Sequence, residues 1–544
     1  MEMSKLQIRA KVLSVVSQIK SLREYNEKEL KKLYSELEVI EDKETLFDIF
    51  VKEFIKMDEN EYIFASCIIK DLVDTNYMQD KVFEILKSNN YSDDAKYKLV
   101  QMLRISGSTF DYNVIPQYFE NPEEIIDSDT KKLLEKAVIN PESMLDFLDF
   151  VAAVPAKDRN VLLESLKIDY AGDMLANIIY PILYADFDDE FKLNAISILA
   201  ESKSSLAIAP FNYLIETSSN EEIVNECKTG LKKLKLAGAN EEKEKEYFKN
   251  IVKNTELSDL FTTIPDGQGN QAILISRINK STDKISISAV VTNDILGIID
   301  CFGFYEISKN EFSKILGKFY QSEGKYTIEK HYIKSQIEKA IDLTIKNKRT
   351  FPYEFICWNV LTKDIETEDF DITEYINEKI VADKTTKETI LDILTKEYSF
   401  RWYIKADENT ALKNVVEKIY NEEPSIEDLN AIVKSELENI FDDETQNIWK
   451  NRLMHCIYLL HNNDKKTDSE IFKSILQKEE HFNIFKSILI QRSIFNHFFM
   501  LKETAKESIL TTNIFRKKEA EKNKIDTKKV QNIIELLKKN WINE

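Results

Sequence analysis

Glycine and proline are scarce in this sequence, which contains 10 and 9 of them among 544 residues. Sheet-rich folds need many tight turns, and these two residue types form a large share of such turns. Their scarcity therefore argues against a fold built mainly of β-hairpins and favours long helices. Hydrophobic residues make up 43% and charged residues 31% of the chain. This balance is typical of a folded protein whose helices each present one polar face to water.

Cysteine is also sparse, and long hydrophobic runs are missing. The five cysteines lie far apart and form no C-x-x-C motif, which argues against a disulfide framework and a cysteine zinc site. No uninterrupted apolar run reaches about 18 residues, so we expect no membrane span. The amino terminus, MEMSKLQIRAKVLSVV, lacks the apolar core of a signal peptide. These features predict a cytoplasmic protein.

Basic residues are fewer than acidic ones, 75 against 95, so the formal net charge is −20. A protein that binds duplex DNA over a broad surface must present a basic face. We therefore expect a protein or peptide partner with a basic surface, and no nucleic-acid partner. One basic stretch, RKKEAEKNKIDTKK at 516–529, could touch RNA, anionic lipid or an acidic partner. It contains no aromatic residue for base stacking, so a solvated linker before a final helix at 527–541 is the favoured interpretation.

Six of the ten glycines lie between residues 267 and 324, and strand-like patterns appear in the same window. Three short strands joined by polar turns are predicted there: AILISRI (272–278), KISISAVV (284–291) and GIIDCFGFYEI (297–307). A helix is predicted at 308–319, where Ser308 and Glu311 have the spacing of a capping box. The sequence thus predicts a small α+β module at 258–326, formed by a three-stranded antiparallel meander and one helix.

On both sides of this module, apolar residues recur at spacings of three and four, as on one face of a helix. The clearest segments are 46–57, 62–73, 95–105, 143–154, 353–361, 409–420, 445–460 and 485–501. The predicted fold is therefore mostly α-helical, with helical repeats at 1–257, the α+β module at 258–326 and an irregular all-helical domain at 327–544.

The clearest internal repeat runs from 188 to about 236, where a third helix restates the first at an offset of 32 residues. Four pairs of positions correspond: Asp189 with Glu221, Phe191 with Ile223, Ala195 with Cys227, and Leu199 with Leu231. Small residues at such positions let two helices approach closely. A period of this length with two helices per unit is typical of a helical solenoid.

This segment resembles HEAT and armadillo-type repeats. The positions that carry the resemblance are Phe191, Lys192, Ala195, Leu199, Ala207, Ala209, Pro210, Leu214 and Ile215. The pattern departs from the family in its second copy, where Val224 stands at the position of the usual basic residue. The resemblance implies an α–α superhelical solenoid with an extended binding surface, and it is silent on activity.

Four charged residues of the module form the candidate small-ligand site. Asp266 lies in the entry turn, Arg277 on the first predicted strand, and Asp294 and Asp300 near strand ends. Carboxylates near an arginine can polarise a substrate or bind a cation. The alternative is turn chemistry, because Asp and Asn are common turn residues. The glycines of PDGQG (265–269) lead into a strand and not into a helix, so a turn is also favoured over a phosphate loop.

The histidines and Cys357 give weaker evidence for a functional site. His455, His461, His481 and His497 lie in the last quarter of the chain but lack the spacing of metal ligands, so neither a metal nor another cofactor is predicted. Cys357 lies among apolar residues of a predicted helix, where cysteine usually behaves as a small buried hydrophobe. We interpret it as a core residue.

Three functional hypotheses follow. The leading one is a non-catalytic protein–protein interaction scaffold that uses an acidic helical-repeat surface. The second is an enzyme or small-ligand sensor whose site lies where the α+β module meets the flanking helices, since pockets are common at such interfaces. The third is a nucleic-acid-associated HEAT-like protein, which the acidic charge opposes. No catalytic residue is predicted, and the sequence leaves the oligomeric state open.

Overall fold

A computed structural model describes residues 3–22, 27–109, 114–122, 131, 134–320, 324–366, 369–382, 385–399, 401–510 and 526–539. The chain divides into two compact units, Met1–Leu133 and Leu134–Glu544. Helices dominate the described residues of both units, so the prediction of a mostly α-helical fold is confirmed. The three-domain division at 257/258 and 326/327 stays a prediction.

The first unit is helical in its described residues. Its helices are α1 (Lys5–Ile19), α2 (Glu27–Glu38), α3 (Lys43–Phe54), α4 (Glu59–Ile69), α5 (Thr75–Leu86) and α6 (Asp93–Ile105). Ser4 begins α1 with a capping box that it forms with Gln7. Apolar residues from all six helices, among them Val12, Phe47 and Leu99, share one buried cluster. The unit therefore has a hydrophobic core of its own.

The second unit begins with a further set of helices. They are α7 (Pro141–Ala153), α8 (Ala156–Asp169), α9 (Gly172–Ile179), α10 (Asp189–Ser202), α11 (Ile208–Thr217), α12 (Glu221–Leu236) and α13 (Glu241–Val252). A short 3-10 helix, Tyr180–Tyr184, continues α9 and is buried throughout. These elements precede the sheet in the chain and form one wall of the candidate site described below.

The two helices that carry the sequence repeat, α10 and α12, pack against each other. Asn220, the N-cap of α12, donates a hydrogen bond from Nδ2 to Asp189 Oδ2 at 2.8 Å. Ala195 and Cys227, the small residues at equivalent positions, are both fully buried. Gly230 permits a close approach, because a Cβ there would collide with an aromatic ring of α11. The repeat thus corresponds to a local helix–helix contact, and its extension into a solenoid stays a prediction.

The sheet contains five antiparallel strands in the order β4-β3-β2-β1-β5. They are β1 (Thr255–Thr262), β2 (Asn270–Asn279), β3 (Ile285–Asn293), β4 (Gly297–Ile307) and β5 (Tyr326–Thr327). The three predicted strands correspond to β2, β3 and β4, and the sequence analysis missed the other two. β1 has no clean alternation, since most of its residues are exposed or half-buried, and β5 is only two residues long.

Both faces of the sheet are covered. Leu274 of β2 packs with Phe312 of α14 (Lys309–Phe319) on one face. The predicted capping box at the start of α14 is present, since Ser308 Oγ accepts from the backbone N–H of Glu311 and the backbone N–H of Ser308 donates to the Glu311 carboxylate. On the other face, β2 and β3 contact the 3-10 helix Asn359–Leu361.

Helices resume after the sheet. They are α15 (Lys330–Lys346), α16 (Tyr353–Trp358), α17 (Ile372–Lys379), α18 (Lys387–Thr395), α19 (Thr410–Glu422), α20 (Ile426–Ile440), α21 (Asp443–His461), α22 (Lys466–Gln477), α23 (Glu479–Leu510) and α24 (Thr527–Leu537). Most of the basic stretch at 516–529 lies outside the described residues. Within the described part of the chain, no helix is both long enough and apolar enough to cross a bilayer.

Candidate functional site

Two adjoining cavities lie between helices of the second unit, with volumes of about 300 and 310 Å³. One wall comes from α11 and α13, which precede the sheet. The opposite wall comes from α15 and from the segment around the 3-10 helix Asn359–Leu361, which follow the sheet. Six residues line both cavities: Ala209, Asn212, Glu244, Ile341, Asn359 and Lys363. We refer to this joined space as the Lys363 cavity.

Lys363 is held in place from the sheet side. Arg277, only 2% exposed, projects from β2 and donates from Nε to the backbone carbonyl of Leu361 at 2.8 Å. Its guanidinium also forms an ion pair with Asp364. These two contacts hold the chain two residues before Lys363 and one residue after it. Arg277 is therefore a positioning residue for the cavity, and its side chain does not line it.

The Lys363 ammonium meets one carboxylate and two aromatic rings. Nζ lies 3.4 Å from Glu244 Oε1. It also lies 3.9 Å from the ring centroid of Phe248 and 5.4 Å from that of Tyr180. Ammonium groups are attracted to the faces of aromatic rings. In the described part of the chain, Glu244 is the hydrogen-bond partner of Lys363, so the other ammonium protons have no protein acceptor.

Burial acts on both members of this pair. Burial lowers the pKa of Lys363, and the nearby Glu244 carboxylate opposes that shift. Burial likewise raises the pKa of Glu244, and Lys363 opposes it. Both neutral forms are thus favoured relative to the same groups in water. An amine and a carboxyl group at this distance can exchange a proton, which is the elementary step of general acid–base chemistry.

Aromatic side chains build the far end of the cavity. The rings of Tyr184 and Tyr213 lie 4.8 Å apart, and Phe351 contacts both, at 5.9 and 5.3 Å between centroids. Phe355 stacks on Phe351 at 5.7 Å. Burial raises the pKa of Tyr184 well above its ordinary value, so this phenol stays neutral. The far wall is therefore mainly aromatic, with rings that are tilted or edge-on to one another, and it suits the apolar part of a ligand.

The charged residues of the lining lie mainly at the exposed edge. Glu216, Glu241, Lys245 and Glu338 all line the cavity and are exposed to solvent. Lys334 also lines the cavity and forms an ion pair with Glu338 at 3.0 Å. The edge therefore has three carboxylates and two lysines, a small excess of negative charge.

The four residues singled out from the sequence occupy separate environments. Asp266 accepts hydrogen bonds at Oδ1 from the backbone N–H groups of Gln268 and Asn270, at 2.8 and 2.9 Å. It thereby closes the turn before β2, as turn chemistry predicts. Asp300 is exposed on β4 and accepts from the N–H of Cys301 at 2.8 Å. Arg277 is paired with Asp364, as described above.

Asp294 forms a second buried ion pair, with Arg452 of α21. Arg452 donates from Nε to Oδ2 at 2.6 Å and from Nη2 to Oδ1 at 3.0 Å. Its Nη1 donates to the carbonyl of Gly267 at 2.9 Å. Asp294 lines a cavity of about 80 Å³, and Asp266 lines a separate one of about 40 Å³. Ligand binding by the four predicted residues stays a prediction.

The histidines and Cys357 are packed into the interior to different degrees. His455 is buried and hydrogen-bonded to the Tyr332 hydroxyl at 2.9 Å, and burial lowers its pKa to about 3. His481 bonds to the Ser474 hydroxyl at 2.9 Å. Cys357 is buried in α16, and burial raises its pKa, as a core residue requires. Among the described residues, no group of three or more His, Cys, Asp or Glu side chains is placed to hold a metal ion.

Sequence reasoning missed Lys363 and Glu244. They are separated by 119 positions, and neither belongs to a motif. In the sequence, each is one of many charged residues in a helical region. Comparison of the chain with protein-family models, curated proteins and solved structures finds no match.

Proposed function

We propose that this protein binds a small, largely apolar organic molecule in the Lys363 cavity. The observation that carries the proposal is a half-buried amine–carboxylate pair that faces open space and is not saturated by protein groups. Small-ligand sites are typically apolar cavities in which a few polar groups fix the orientation of the ligand. The arrangement belongs to the same class as the ligand-sensor hypothesis but differs in location, because the described residues that line the cavity lie before and after the module at 258–326 and not in it.

The size of the cavity supports this class of ligand. Each part has a volume of about 300 Å³, at the lower end of the range for small-ligand sites. An apolar cavity of about 150 Å³ already accepts benzene. The aromatic wall formed by Tyr184, Tyr213 and Phe351 would contact the apolar body of the ligand. Lys363 and Glu244 would contact its polar group.

A substitution that fills the shared space tests the proposal. Ala209 lines both parts of the cavity, so Ala209→Phe places a ring where the ligand would lie. The matched control is Ala431→Phe on the exposed face of α20. A fragment library is screened by ligand-observed NMR against the wild type and both variants. We expect aromatic hits that bind the wild type and Ala431→Phe, and that Ala209→Phe loses. Hits that Ala209→Phe retains would contradict the proposal.

A second candidate is a cytoplasmic, HEAT-like scaffold that binds a basic protein segment. The packing of α10 on α12 and the net charge of −20 favour it. We expect such a partner to be retained by the wild type at low salt and released as salt rises, because the attraction is electrostatic. A stoichiometric partner whose binding is insensitive to charge reversal on α10 and α12 would contradict this second proposal.

A further inference from the structure

We propose that the ligand of the Lys363 cavity is a neutral aldehyde or ketone, and that Lys363 captures it as a protonated imine paired with Glu244. The inference rests on the proposed function, since it names the ligand class and the bond formed at that site. Three features of the cavity lead to it, namely its charge, the freedom of the amine and the position of the carboxylate.

The charge of the cavity favours a neutral ligand. An anion would have to displace Glu244 from Lys363, in a lining where four carboxylates stand against three lysines. A cation would meet the Lys363 ammonium, which already lies over the rings of Phe248 and Tyr180. A neutral carbonyl compound avoids both penalties. Its carbonyl oxygen is also an acceptor for the ammonium protons that have no protein partner.

Imine formation conserves the charge of the buried pair. The Glu244 carboxylate, 3.4 Å from Nζ, first takes a proton from the Lys363 ammonium. The free amine lone pair then attacks the carbonyl carbon, the C=O π electrons move to oxygen, and a proton passes from nitrogen to that oxygen. The nitrogen lone pair next expels the hydroxyl group, which leaves as water with the proton returned by Glu244. One cation and one anion are present before and after the reaction, so no unpaired charge is left in the cavity.

The surroundings of Lys363 suit this chemistry. A lysine in an apolar pocket is easier to deprotonate, and hence a better nucleophile, than one in water. Burial acts on the Lys363 pKa in that direction. Arg277 binds the Leu361 carbonyl and the Asp364 side chain on the two sides of Lys363, so the amine is held at the cavity without being bonded to the arginine itself.

Reductive trapping tests the proposal on the full chain. The protein is incubated with benzaldehyde and cyanoborohydride at neutral pH, and the benzylated lysines are located by peptide mass spectrometry. The internal reference is Lys405, a half-exposed lysine at the surface. We expect Lys363 to be labelled at least tenfold faster than Lys405, because burial lowers the pKa of Lys363 and the cavity concentrates the aldehyde beside it. Glu244→Gln should slow trapping about a hundredfold, the usual contribution of a proton-transfer group.

A parallel measurement separates this inference from the proposed function. Benzyl alcohol has the same ring but no carbonyl, and its binding is followed by ligand-observed NMR. Lys363→Arg preserves the positive charge and should still bind the alcohol while forming no adduct. If benzyl alcohol binds but Lys363 is labelled no faster than Lys405, the imine is wrong and the cavity proposal stands. If neither compound binds and Ala209→Phe behaves as the wild type, both proposals are wrong.

Discussion

Two of the cation–carboxylate pairs in the second unit, Arg452–Asp294 and Lys363–Glu244, differ in how fully the protein satisfies their hydrogen bonds. Arg452 and Asp294 share two hydrogen bonds, and the third Arg452 contact goes to the carbonyl of Gly267. The guanidinium also lies 4.9 Å from the ring centroid of Trp449. Lys363 and Glu244 share one contact at 3.4 Å and face a cavity of about 300 Å³.

This difference separates a structural pair from a candidate binding pair. The Arg452 pair joins α21 to the turns at one end of the sheet, and its donors are used by protein acceptors. The Lys363 pair joins α13 to the segment after α16, and part of its hydrogen-bonding capacity points into open space. Burial of charge is costly unless all its partners are supplied. The unsatisfied pair is therefore the one for which a ligand would supply the missing partner.

The largest expected loss of stability follows from disrupting the Arg452–Asp294 pair, whose hydrogen bonds are supplied by protein groups. Arg452→Met leaves Asp294 buried without its cation and removes a donor from Gly267, which should lower the free energy of unfolding by about 3–5 kcal/mol. Urea unfolding followed by tryptophan fluorescence measures it, since Trp402 and Trp449 are buried beside this region. The control Lys405→Met breaks an exposed pair with Glu408 and should cost less than about 1 kcal/mol. Equal costs for the two variants would contradict the comparison.

Substitutions in the turn at 265–269, where the Gly267 carbonyl accepts from Arg452, should have the next largest effect on the free energy of unfolding. Gly269 has φ +80°, and a Cβ there would collide with the Asp294 carboxylate. Gly269→Ala should therefore cost about 2 kcal/mol or more in free energy of unfolding. Gly317 lies in α14 with open space around its Cα, so Gly317→Ala should be neutral or stabilise by about 0.5–1 kcal/mol. Destabilisation of similar size by both substitutions would show that the turn is not specifically packed.

At the unsaturated pair, removal of both charges should change stability little. The double variant Lys363→Met/Glu244→Gln should unfold within about 1 kcal/mol of the wild type, because a buried pair with few partners contributes little over neutral groups of similar size. The same variant should lose the fragments that bind the cavity. A loss of several kcal/mol measured by urea unfolding would mean that this pair is structural, as the Arg452 pair is.

The smallest expected effect is a pH dependence of the free energy of unfolding that comes from Glu244. In the Lys363→Met background the main opposing cation is removed, so burial holds the folded-state pKa of Glu244 above the unfolded value of about 4.3. A carboxyl with a raised folded-state pKa contributes stability below its unfolded pKa and loses it as pH rises through the folded value. Lys363→Met should therefore lose stability relative to Lys363→Met/Glu244→Gln as pH rises above about 4. If the difference in unfolding free energy between these two variants does not vary with pH, the assigned burial of Glu244 is contradicted.

The local structure could be predicted where the pattern of residues within one short segment determines it. The strands β2, β3 and β4 follow from apolar runs between turn residues, and the start of α14 follows from Ser308 and Glu311. β1 was missed because its charged and apolar residues do not alternate. A two-residue strand such as β5 forms only through its contact with β1 and has no pattern of its own.

The candidate site could not be predicted, because it depends on pairs distant in sequence. Arg277 was singled out for its charge, but its partner Asp364 lies 87 positions away, and this pair gives it a positioning role. Glu244 and Lys363 are brought together only when α13 packs near the segment that follows α16. No residue type or spacing in either segment differs from those of an ordinary solvated helix.

Lysine reactivity tests most directly whether the Lys363 amine is less fully satisfied than other buried ammonium groups. The protein is treated with an acetylating reagent at neutral pH, and the modified lysines are quantified by peptide mass spectrometry. Lys473 is the reference, because it is buried and its ammonium donates to the carbonyl of Ile376 at 2.8 Å. We predict that Lys363 reacts at least tenfold faster than Lys473, and that Ala209→Phe protects Lys363 without affecting Lys473. Equal protection of Lys363 and Lys473 in the wild type would contradict an accessible amine in this cavity.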